Sequence, residues 1–294
     1  SEISDYSFSN PERCQEFGFP VDGAVAVENA LDSTESLIRT SLIPGLTAVA
    51  GRNARFRTSQ LFFEIGRCYS KTPWPRHAGL KSRAELNRPA ANESRVLGFG
   101  IISGKSAEAL GQSANPPVES GSDLYAALDV VRRIAALVGA RPVFEPVDPA
   151  AAEIPDISDY SRLRSWMHPF RAAKLVSSGR PFGVAAEVHP NFSATNGSRL
   201  IVGEVDLEVL LDQEQSDRFE PLSKYPVSLF ELSAVMPVAE PFRTLEQLLR
   251  SSLERVQIPE KQGLLRDLEL VAVYRGKPLK EGEKSVSVKL SFGA

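Results

Sequence analysis

The chain has 294 residues, of which 42% are hydrophobic and 24% charged, a composition typical of a folded globular protein. The formal net charge of −3 excludes a surface that is basic over the whole molecule. Two cysteines and three scattered histidines exclude a disulfide framework and a clustered Cys/His metal site, so no metal is expected. No apolar run reaches the roughly 20 residues of a membrane span, and we therefore expect a cytoplasmic protein.

The spacing of apolar residues predicts the elements of the first two thirds of the chain. An apolar stripe over 37–46 is interrupted at Pro44, which predicts two short helical pieces because proline removes a helical hydrogen bond. Apolar residues at helical spacing over 124–138, closed by Gly139, predict an amphipathic helix. A short helix is predicted over 206–211. Runs rich in branched and aromatic residues predict strands over 60–70, 96–103, 143–147, 182–188 and 200–205.

A charged, aperiodic segment predicts a division of the chain into two domains. Residues 213–222 are expected to be a linker between a domain of residues 1–212 and a second domain of residues 223–294. The second domain is mildly basic, with 11 Lys and Arg against 9 Asp and Glu. A capping box that starts at Thr244 predicts the beginning of a helix. Strands are predicted over 230–236, 268–274 and 285–292, and this β-α-β-β order matches the first two thirds of a ferredoxin-like fold.

Three groups of short motifs, in order along nearly the whole chain, resemble the β subunit of bacterial phenylalanine–tRNA synthetase. They are ENAL (28–31), LIRTSLIPGL (37–46) and FEIGR (63–67), then HPFR (168–171) and AEVHP (186–190), then LSKYP (222–226), VYRG (273–276) and EGEKS (281–285). The resemblance implies an α+β fold. A class II aminoacyl-tRNA-synthetase-like antiparallel sheet with flanking helices would have lost catalysis, and a partial ferredoxin-like anticodon-binding domain would follow it. Upstream parts of the family would be absent, so the chain would be a fragment or a shortened relative.

The resemblance also implies a function. The family enzyme is an ATP-dependent phenylalanine–tRNA ligase of two α and two β subunits, with ATP and Mg²⁺ used on α, so no cofactor and no catalytic residue are expected in this chain. The residues agree, because neither Arg57 nor Arg180 has the acidic or acidic–Arg context of a class II site. We therefore predict that the isolated chain is inactive. The alternative is a free-standing tRNA- or RNA-binding or regulatory paralogue that does not assemble with α.

The resemblance suggests a subunit interface around the proline of the apolar stripe. Class II synthetases build such an interface from the helix around a comparable proline, and the contacts here would be Leu42, Ile43, Pro44 and Leu46. An ordinary buried helix kink explains the same residues, and both interpretations remain open.

The last strand suggests an RNA-binding face. Alternation places Ser285 and Lys289 on one side of the strand, and Tyr274 on a neighbouring strand could share that side and stack on an unpaired base. The resemblance matches Tyr274 and Ser285 to family positions that contact the anticodon. The family has an acidic residue in place of Ala272 and an Arg-Arg-Asp run in place of residues 229–231, which predicts weaker binding here. The candidate RNA-binding residues are Tyr274, Arg275, Lys277, Lys280, Lys284, Ser285 and Lys289. The alternative is a solvated basic rim.

The remaining polar motifs predict structural roles. Residues 168–171 and 189–190 contain two His-Pro pairs, which favour turns over a metal site because further ligands are missing. The family has Gly in place of Phe170, so this segment is expected to differ here. Glu64 and Glu187 lie near Arg67 and Arg171, which predicts buried ion pairs. His77 is expected to be exposed in a loop.

Overall fold

The computed structural model describes residues 1–19, 21–57, 59–78, 92–103, 122–147, 164–192, 195, 197–212, 226–255 and 265–293. The chain divides into two compact units, Ser1–Ser216 and Asp217–Ala294, which are treated separately below. The predicted linker over 213–222 lies outside the described residues. None of the helices in the described ranges is long and apolar enough to cross a membrane.

The elements of the first unit include eight strands and four helices within the described residues. They are β1 (Phe8–Ser9), α1 (Pro11–Glu16), β2 (Leu37–Ile38), α2 (Ile43–Asn53), β3 (Gln60–Ser70), β4 (Asn92–Ser103), α3 (Ser122–Leu137), β5 (Val143–Pro146), β6 (Met167–Ser177), β7 (Arg180–Val188), β8 (Arg199–Asp206) and α4 (Leu207–Leu211). The strands predicted for β3, β4, β5, β7 and β8 are confirmed, as are the helices predicted for α3 and α4.

A six-stranded sheet is the frame of the first unit. Its order is β3-β4-β8-β7-β6-β5, and every neighbouring pair is antiparallel. Alternate residues of the strands point to opposite faces, so each face carries its own apolar cluster. One face packs Phe62, Val202 and Trp166 with α2, and the other packs Phe182 and Ile201 with α3 and α4. The antiparallel sheet and mixed α/β composition expected from the sequence are therefore confirmed.

Pro44 begins a helix and does not break one. Leu37 and Ile38 form the two-residue strand β2, and α2 starts at Ile43 with Pro44 in its first turn. The prediction of two helical pieces was wrong because the first turn of a helix has no partner for its N–H groups. A proline there sacrifices no hydrogen bond, and its fixed φ suits the helical backbone.

Strand β6 was not predicted, and its irregular start explains why. Met167 pairs with Val188 and Ala172 pairs with Ala186, so residues 168–171 of β6 oppose Glu187 alone. The bulge destroys the alternation of apolar and polar residues by which a strand is recognised. The His-Pro segment at 168–171, predicted as a turn, therefore belongs to an interrupted strand.

The second unit combines one helix with three strands among its described residues. They are β9 (Ser228–Pro237), α5 (Phe242–Arg255), β10 (Leu265–Tyr274) and β11 (Glu283–Phe292), and the antiparallel sheet has the order β10-β11-β9. The three predicted strands are confirmed. The predicted capping box was wrong, because α5 begins at Phe242 and Thr244 lies inside its first turn. Leu245 of α5 packs against Val286 and Val288 on one face of the sheet.

Candidate functional site

Helix α2 rests on the sheet where β4 carries a glycine. A Cβ atom added at Gly98 would lie 2.8 Å from Cδ1 of Leu46 and 2.9 Å from Cδ1 of Leu42. Such distances are far below van der Waals contact, so only glycine allows the two leucines to seat on the strand. Leu42 is 2% exposed and Leu46 is 1% exposed. The helix is thereby fixed to the middle of the antiparallel sheet.

This packing corrects the predicted subunit interface. Leu42, Ile43, Pro44 and Leu46 are all buried within the chain. Leu42, Ile43 and Leu46 belong to the core and have almost no surface left for a partner, which favours the alternative of buried packing residues, whereas Pro44 also lines the cleft described below. Any partner of α2 must instead use the opposite side of the helix.

The start of α2 is capped from a distant strand. Its N-cap residue, Leu42, has no side-chain acceptor, and the backbone N–H of Leu42 donates to Glu204 Oε2 at 3.2 Å. The Ser41 hydroxyl donates to the same oxygen at 2.7 Å and accepts from the backbone N–H of Ile43 at 3.1 Å. Burial raises the pKa of Glu204, although the Ser41 hydrogen bond and the charge of Arg76 oppose the rise. One carboxyl from β8 thus satisfies the helix terminus, which has unpaired N–H groups by construction.

The outward side of α2 is the floor of an open cleft. Gly45, Ala48 and Arg52 follow one another at helical spacing along the floor. The cleft has a volume of about 710 Å³, and its walls come from 5–17 and from the turn after β7. Four carboxylates and two guanidinium groups line it, together with several aromatic rings. The lining residues are Asp5, Tyr6, Phe8, Ser9, Asn10, Glu12, Arg13, Glu16, Phe17, Glu35, Pro44, Gly45, Ala48, Arg52, Asn191 and Phe192. The Asp5 carboxylate lies directly over Gly45, and Ala48 is the small residue of the floor that no such contact covers.

Asp206 is a buried junction that the sequence did not reveal. It lies at the end of β8, and its Oδ2 accepts from Arg76 Nε at 2.5 Å and pairs with His77 Nε2 at 2.6 Å. Its Oδ1 accepts from the backbone N–H groups of Glu208 and Val209, so Asp206 also caps α4. Burial alone would raise the pKa of Asp206, but the hydrogen bond from His77 and the charge of Arg76 outweigh it and hold the pKa well below its usual range. His77 is 5% exposed, so the prediction of an exposed histidine was wrong.

A second junction joins the strands β2 and β3. Arg39 Nη1 lies 2.8 Å from Glu64 Oε1, and Arg39 Nε donates to the carbonyl of Arg67 at 2.9 Å. Arg67 itself pairs with Glu93 in solvent. The buried ion pair predicted for Glu64 therefore exists, but its partner is Arg39 and not Arg67. The sequence could not identify this partner, because Arg39 and Glu64 lie 25 positions apart, with α2 between them.

Together these contacts show what the interior charges of the first unit do. Glu64, Glu204 and Asp206 each hold a cation or backbone N–H groups of their own chain. Within the described ranges, no group of three or more His, Cys, Asp and Glu side chains could hold a metal ion. The arrangement builds and orients structural elements.

The second unit has one face that its helix does not cover. Cross-strand partners share a face, and Tyr274 pairs with Ser285, which pairs with Val235. These three residues lie opposite the side where Leu245 packs on Val286. The ring of Tyr274 is half exposed, and its hydroxyl donates to the carbonyl of Lys277 at 2.7 Å. The structure therefore brings Tyr274 and Ser285 together, as the alternation predicted.

The predicted basic residues divide into three environments. Arg275, Lys277 and Lys280 are exposed in the loop between β10 and β11, beside Tyr274. Lys289 lies on the open face but pairs with Glu231 on one side and Glu269 on the other. Both carboxylates lie on the same face as Lys289 in the neighbouring strands, so its surroundings are less positive than those of the loop lysines.

Lys284 is placed differently from the other candidates. Its ammonium donates to the backbone carbonyls of Val238 and Glu240, and the residue is buried. It has the same strand parity as Val286, so it lies on the covered face and away from Tyr274. The structure thus removes Lys284 from the predicted RNA-binding surface.

Comparison with known proteins places this architecture in a family. Residues 1–207 match the family model described as the phenylalanyl tRNA synthetase beta chain CLM domain. The chain belongs to this family. The family model covers the whole six-stranded sheet, α2 and its cleft, and both buried junctions.

Individual β subunits of the family align with nearly the whole chain, beyond residues 1–207. The chain is 27% identical over 301 residues to the phenylalanine–tRNA ligase β subunit of Moorella thermoacetica, covering 99% of this chain and 32% of that protein. It is 30% identical over 313 residues to the β subunit of Leifsonia xyli subsp. xyli, covering 100% of this chain and 34% of that protein. The chain thus spans about a third of the length of the curated relatives it matches.

A solved structure is also similar to the β-chain fold at a low level. A pyrrolysyl tRNA synthetase from Desulfitobacterium hafniense matches with a TM-score of 0.44 and 15% identity, over 71% of this chain and 61% of that chain. A likeness of this size carries no argument about the site.

Proposed function

We propose that this chain is the C-terminal part of a phenylalanine–tRNA ligase β subunit, which supports the α subunit and contacts the anticodon side of tRNA without an active site of its own. The whole enzyme would attach phenylalanine to tRNA with ATP and Mg²⁺ bound on α, in a cytoplasmic assembly of two α and two β subunits. One observation carries the proposal. A member of the β-chain family has a sheet whose two faces are both filled by apolar side chains.

The filled faces support a role without catalysis. A reaction site for ATP needs a concave face with cations aimed at the phosphates, because they neutralise charge that develops in the transition state. Here Arg39 and Arg76 are buried against carboxylates of the same chain. A class II synthetase-like domain that has become a scaffold accounts for this arrangement, since its antiparallel sheet and flanking helices remain.

The cleft over α2 is the proposed contact site for the α subunit. Ala48 presents little side chain, whereas the Asp5 carboxylate covers Gly45, so a helix of the partner would approach α2 most closely at Ala48. The same helix is held in place by Gly98 beneath it and by Glu204 at its start. A fixed helix with a small-residue surface is a preorganised docking site, which reduces the entropy lost on binding.

A large charged side chain in the cleft tests this assignment. We expect Ala48→Arg to abolish co-elution of the chain with its cognate α subunit, because the added side chain occupies the floor. Ala136→Arg is the matched control, since Ala136 is exposed on α3. The parent chain and Ala136→Arg should both co-elute with α. ATP-dependent phenylalanylation of tRNA by the isolated chain would contradict the scaffold role, and failure of the parent chain to bind α would favour a free-standing paralogue.

The second unit is the proposed tRNA contact. Its β-α-β-β order and antiparallel sheet fit the first part of a ferredoxin-like domain. Tyr274 would stack on an unpaired anticodon base, and Ser285 would lie beside it on the same face. Arg275, Lys277 and Lys280 would reach phosphates from the adjoining loop. Lys289 would contribute little, because Glu231 and Glu269 flank it.

A further inference from the structure

The bulge in β6 carries an aromatic side chain outward. Residues 168–171 oppose Glu187 alone, and the chain must therefore loop away from the sheet between Met167 and Ala172. Phe170 is at the outer part of this bulge and is 89% exposed. The ring packs against none of the described apolar clusters, and the centroid of the nearby His168 ring lies 6.2 Å from its own.

Hydrogen bonds and an ion pair hold the bulge in shape. Arg171 Nε lies 2.6 Å from Glu187 Oε2, and Arg171 Nη2 donates to Glu187 Oε1 at 3.0 Å. This two-point contact fixes the end of the bulge to the strand it faces. At the other end, the backbone N–H of Phe170 donates to His168 Nδ1 at 3.2 Å. The exposed phenylalanine is therefore carried by an ordered element.

The residues next to Phe170 in the chain carry no unpaired charge. Arg171 is paired with Glu187, and the exposed Pro169 is apolar. Partial burial and the charge of Arg171 lower the pKa of His168, which keeps its ring neutral at pH 7. A nucleic-acid site needs cations for the phosphates, since these supply most of the affinity for the backbone. An uncharged aromatic projection fits a protein pocket better.

The bulge begins beside the end of β7, because Met167 pairs with Val188, and the chain enters the cleft wall just after that residue. The turn that follows β7 begins at His189, whose Nδ1 accepts from the backbone N–H of Asn191 at 3.3 Å. Asn191 and Phe192 belong to the cleft wall, and Phe192 packs edge-on against Phe17 with ring centroids 5.2 Å apart. The cleft wall and the bulge that carries Phe170 therefore both adjoin the Met167–Val188 pair.

We infer that Phe170 is an aromatic anchor that inserts into an apolar pocket of the α subunit. The inference rests on the proposed function, because the same partner occupies the cleft. A few residues carry most of the binding free energy of an interface, and aromatic side chains, phenylalanine included, are enriched at its core. Phe170 would be the contact that defines one end of this interface. It would also be particular to this chain, since the family resemblance places Gly at this position.

Titration calorimetry of the full chain with its cognate α subunit tests the anchor. We expect Phe170→Ala to raise the Kd about 30-fold, the change that corresponds to a hot spot of about 2 kcal/mol. Phe170→Leu should raise it less, because an apolar side chain remains. Tyr125→Ala is the matched control, since Tyr125 is an exposed aromatic residue on α3. The thermal unfolding of all three variants should match that of the parent.

Several results would overturn the inference. The first is a Phe170→Ala variant that binds α as tightly as the parent while Ala48→Arg loses binding, which leaves the proposed function intact. A variant that binds α normally but loses tRNA would make Phe170 an RNA contact. A concentration-dependent self-association of the parent that Phe170→Ala removes, with α binding unchanged, would assign the anchor to a second copy. A parent chain that does not bind α removes the proposed function and the inference together.

Discussion

His77 Nε2 donates a hydrogen bond to Asp206 Oδ2 at 2.6 Å and joins residues that lie 129 positions apart. The direction follows from the low pKa of Asp206, because an ionised carboxylate can only accept. Arg76, the residue before His77, donates to the same oxygen. The two basic side chains of the short 3₁₀ turn Pro75–His77 are thereby tied to the junction of β8 and α4.

Asp206→Asn should lower the free energy of unfolding by about 3 kcal/mol. The substitution removes the negative charge that compensates the Arg76 guanidinium in the interior, and removing one partner of a buried pair has a cost of this order. Denaturant unfolding of the full chain measures it. Asp129→Asn is the control, because Asp129 forms its pairs with Arg132 and Arg133 in solvent and should change stability by less than about 1 kcal/mol. Equal effects of both substitutions would contradict the role of Asp206.

The contribution of Asp206 to the free energy of unfolding should be lost only at low pH. Its folded pKa lies below the unfolded value of about 3.9, so its stabilisation is fully present above the unfolded value and is lost as the pH falls toward the folded one. We therefore expect the stability difference between the parent and Asp206→Asn to be constant above about pH 5 and to shrink below about pH 4. A difference that shrinks already between pH 6 and 7 would place the titration on another group.

The contribution of Glu204 to stability should change with pH in the opposite direction. Its folded pKa is raised, chiefly by burial, so its protonated form favours the fold below the unfolded pKa of about 4.3, and this contribution is lost as the pH rises through the folded value. Glu204→Gln keeps an acceptor for Ser41 and Leu42 without a titrating charge. We expect this variant to be at least as stable as the parent at pH 7 and to lack that pH dependence.

Glu204→Ala provides the contrast to the glutamine variant. It leaves the Ser41 hydroxyl and the Leu42 N–H without their acceptor in the interior, which should lower the free energy of unfolding by about 1–3 kcal/mol. Denaturant unfolding from pH 4 to pH 7 compares the two variants. If glutamine is as destabilising as alanine, the cap on α2 requires the negative charge and the interpretation is wrong.

Gly98→Ala should destabilise the first unit by about 1–3 kcal/mol through overpacking. The added methyl group would stand less than 3.0 Å from Leu46 and Leu42, which must shift and tilt α2. Thermal unfolding measures the loss. In the double variant Gly98→Ala, Leu46→Ala the smaller side chain makes room, so the two effects should be less than additive. Full additivity would show that the glycine does not meet Leu46.

Tyr274→Ala should weaken binding of the anticodon stem–loop by about 1–3 kcal/mol, because a stacking surface for one base is lost. Tyr274→Phe keeps the ring and loses only the hydrogen bond to the Lys277 carbonyl, so it should bind nearly as well as the parent. Fluorescence anisotropy with labelled RNA measures both. Unchanged affinity for Tyr274→Ala would remove the open face from the proposed RNA contact.

The salt dependence of RNA binding should distinguish the role of Lys277 from that of Lys289. Lys277→Ala should reduce the slope of log K against log salt by about 1, as expected for a residue that contacts a phosphate. Lys289→Ala should reduce the slope less, because its cross-strand neighbours Glu231 and Glu269 would repel a phosphate. Equal reductions from both variants would contradict the division of the basic residues.

Local pattern was sufficient to predict most strands and helices. Alternation over 285–292 places Ser285 on the open face and Val286 in the core, since successive side chains of a strand point to opposite sides. The position of Asp206, directly before an apolar segment, also indicated the start of a helix. An acidic residue directly before a helix is a preferred N-cap, and that is the position Asp206 occupies.

The sequence by itself determined most of the elements through their periodicity, and its short motifs carried the resemblance from which the family and an antiparallel sheet were expected. Only the tertiary structure decided which side chains are buried and which are exposed. Leu42 and Leu46 pack against Gly98, and His77 forms a hydrogen bond with Asp206. Lys284 is buried, whereas Lys277 is exposed. Each of these outcomes depends on contacts between residues far apart in the chain. No local spacing encodes such contacts, because burial and charge pairing are properties of the packed fold.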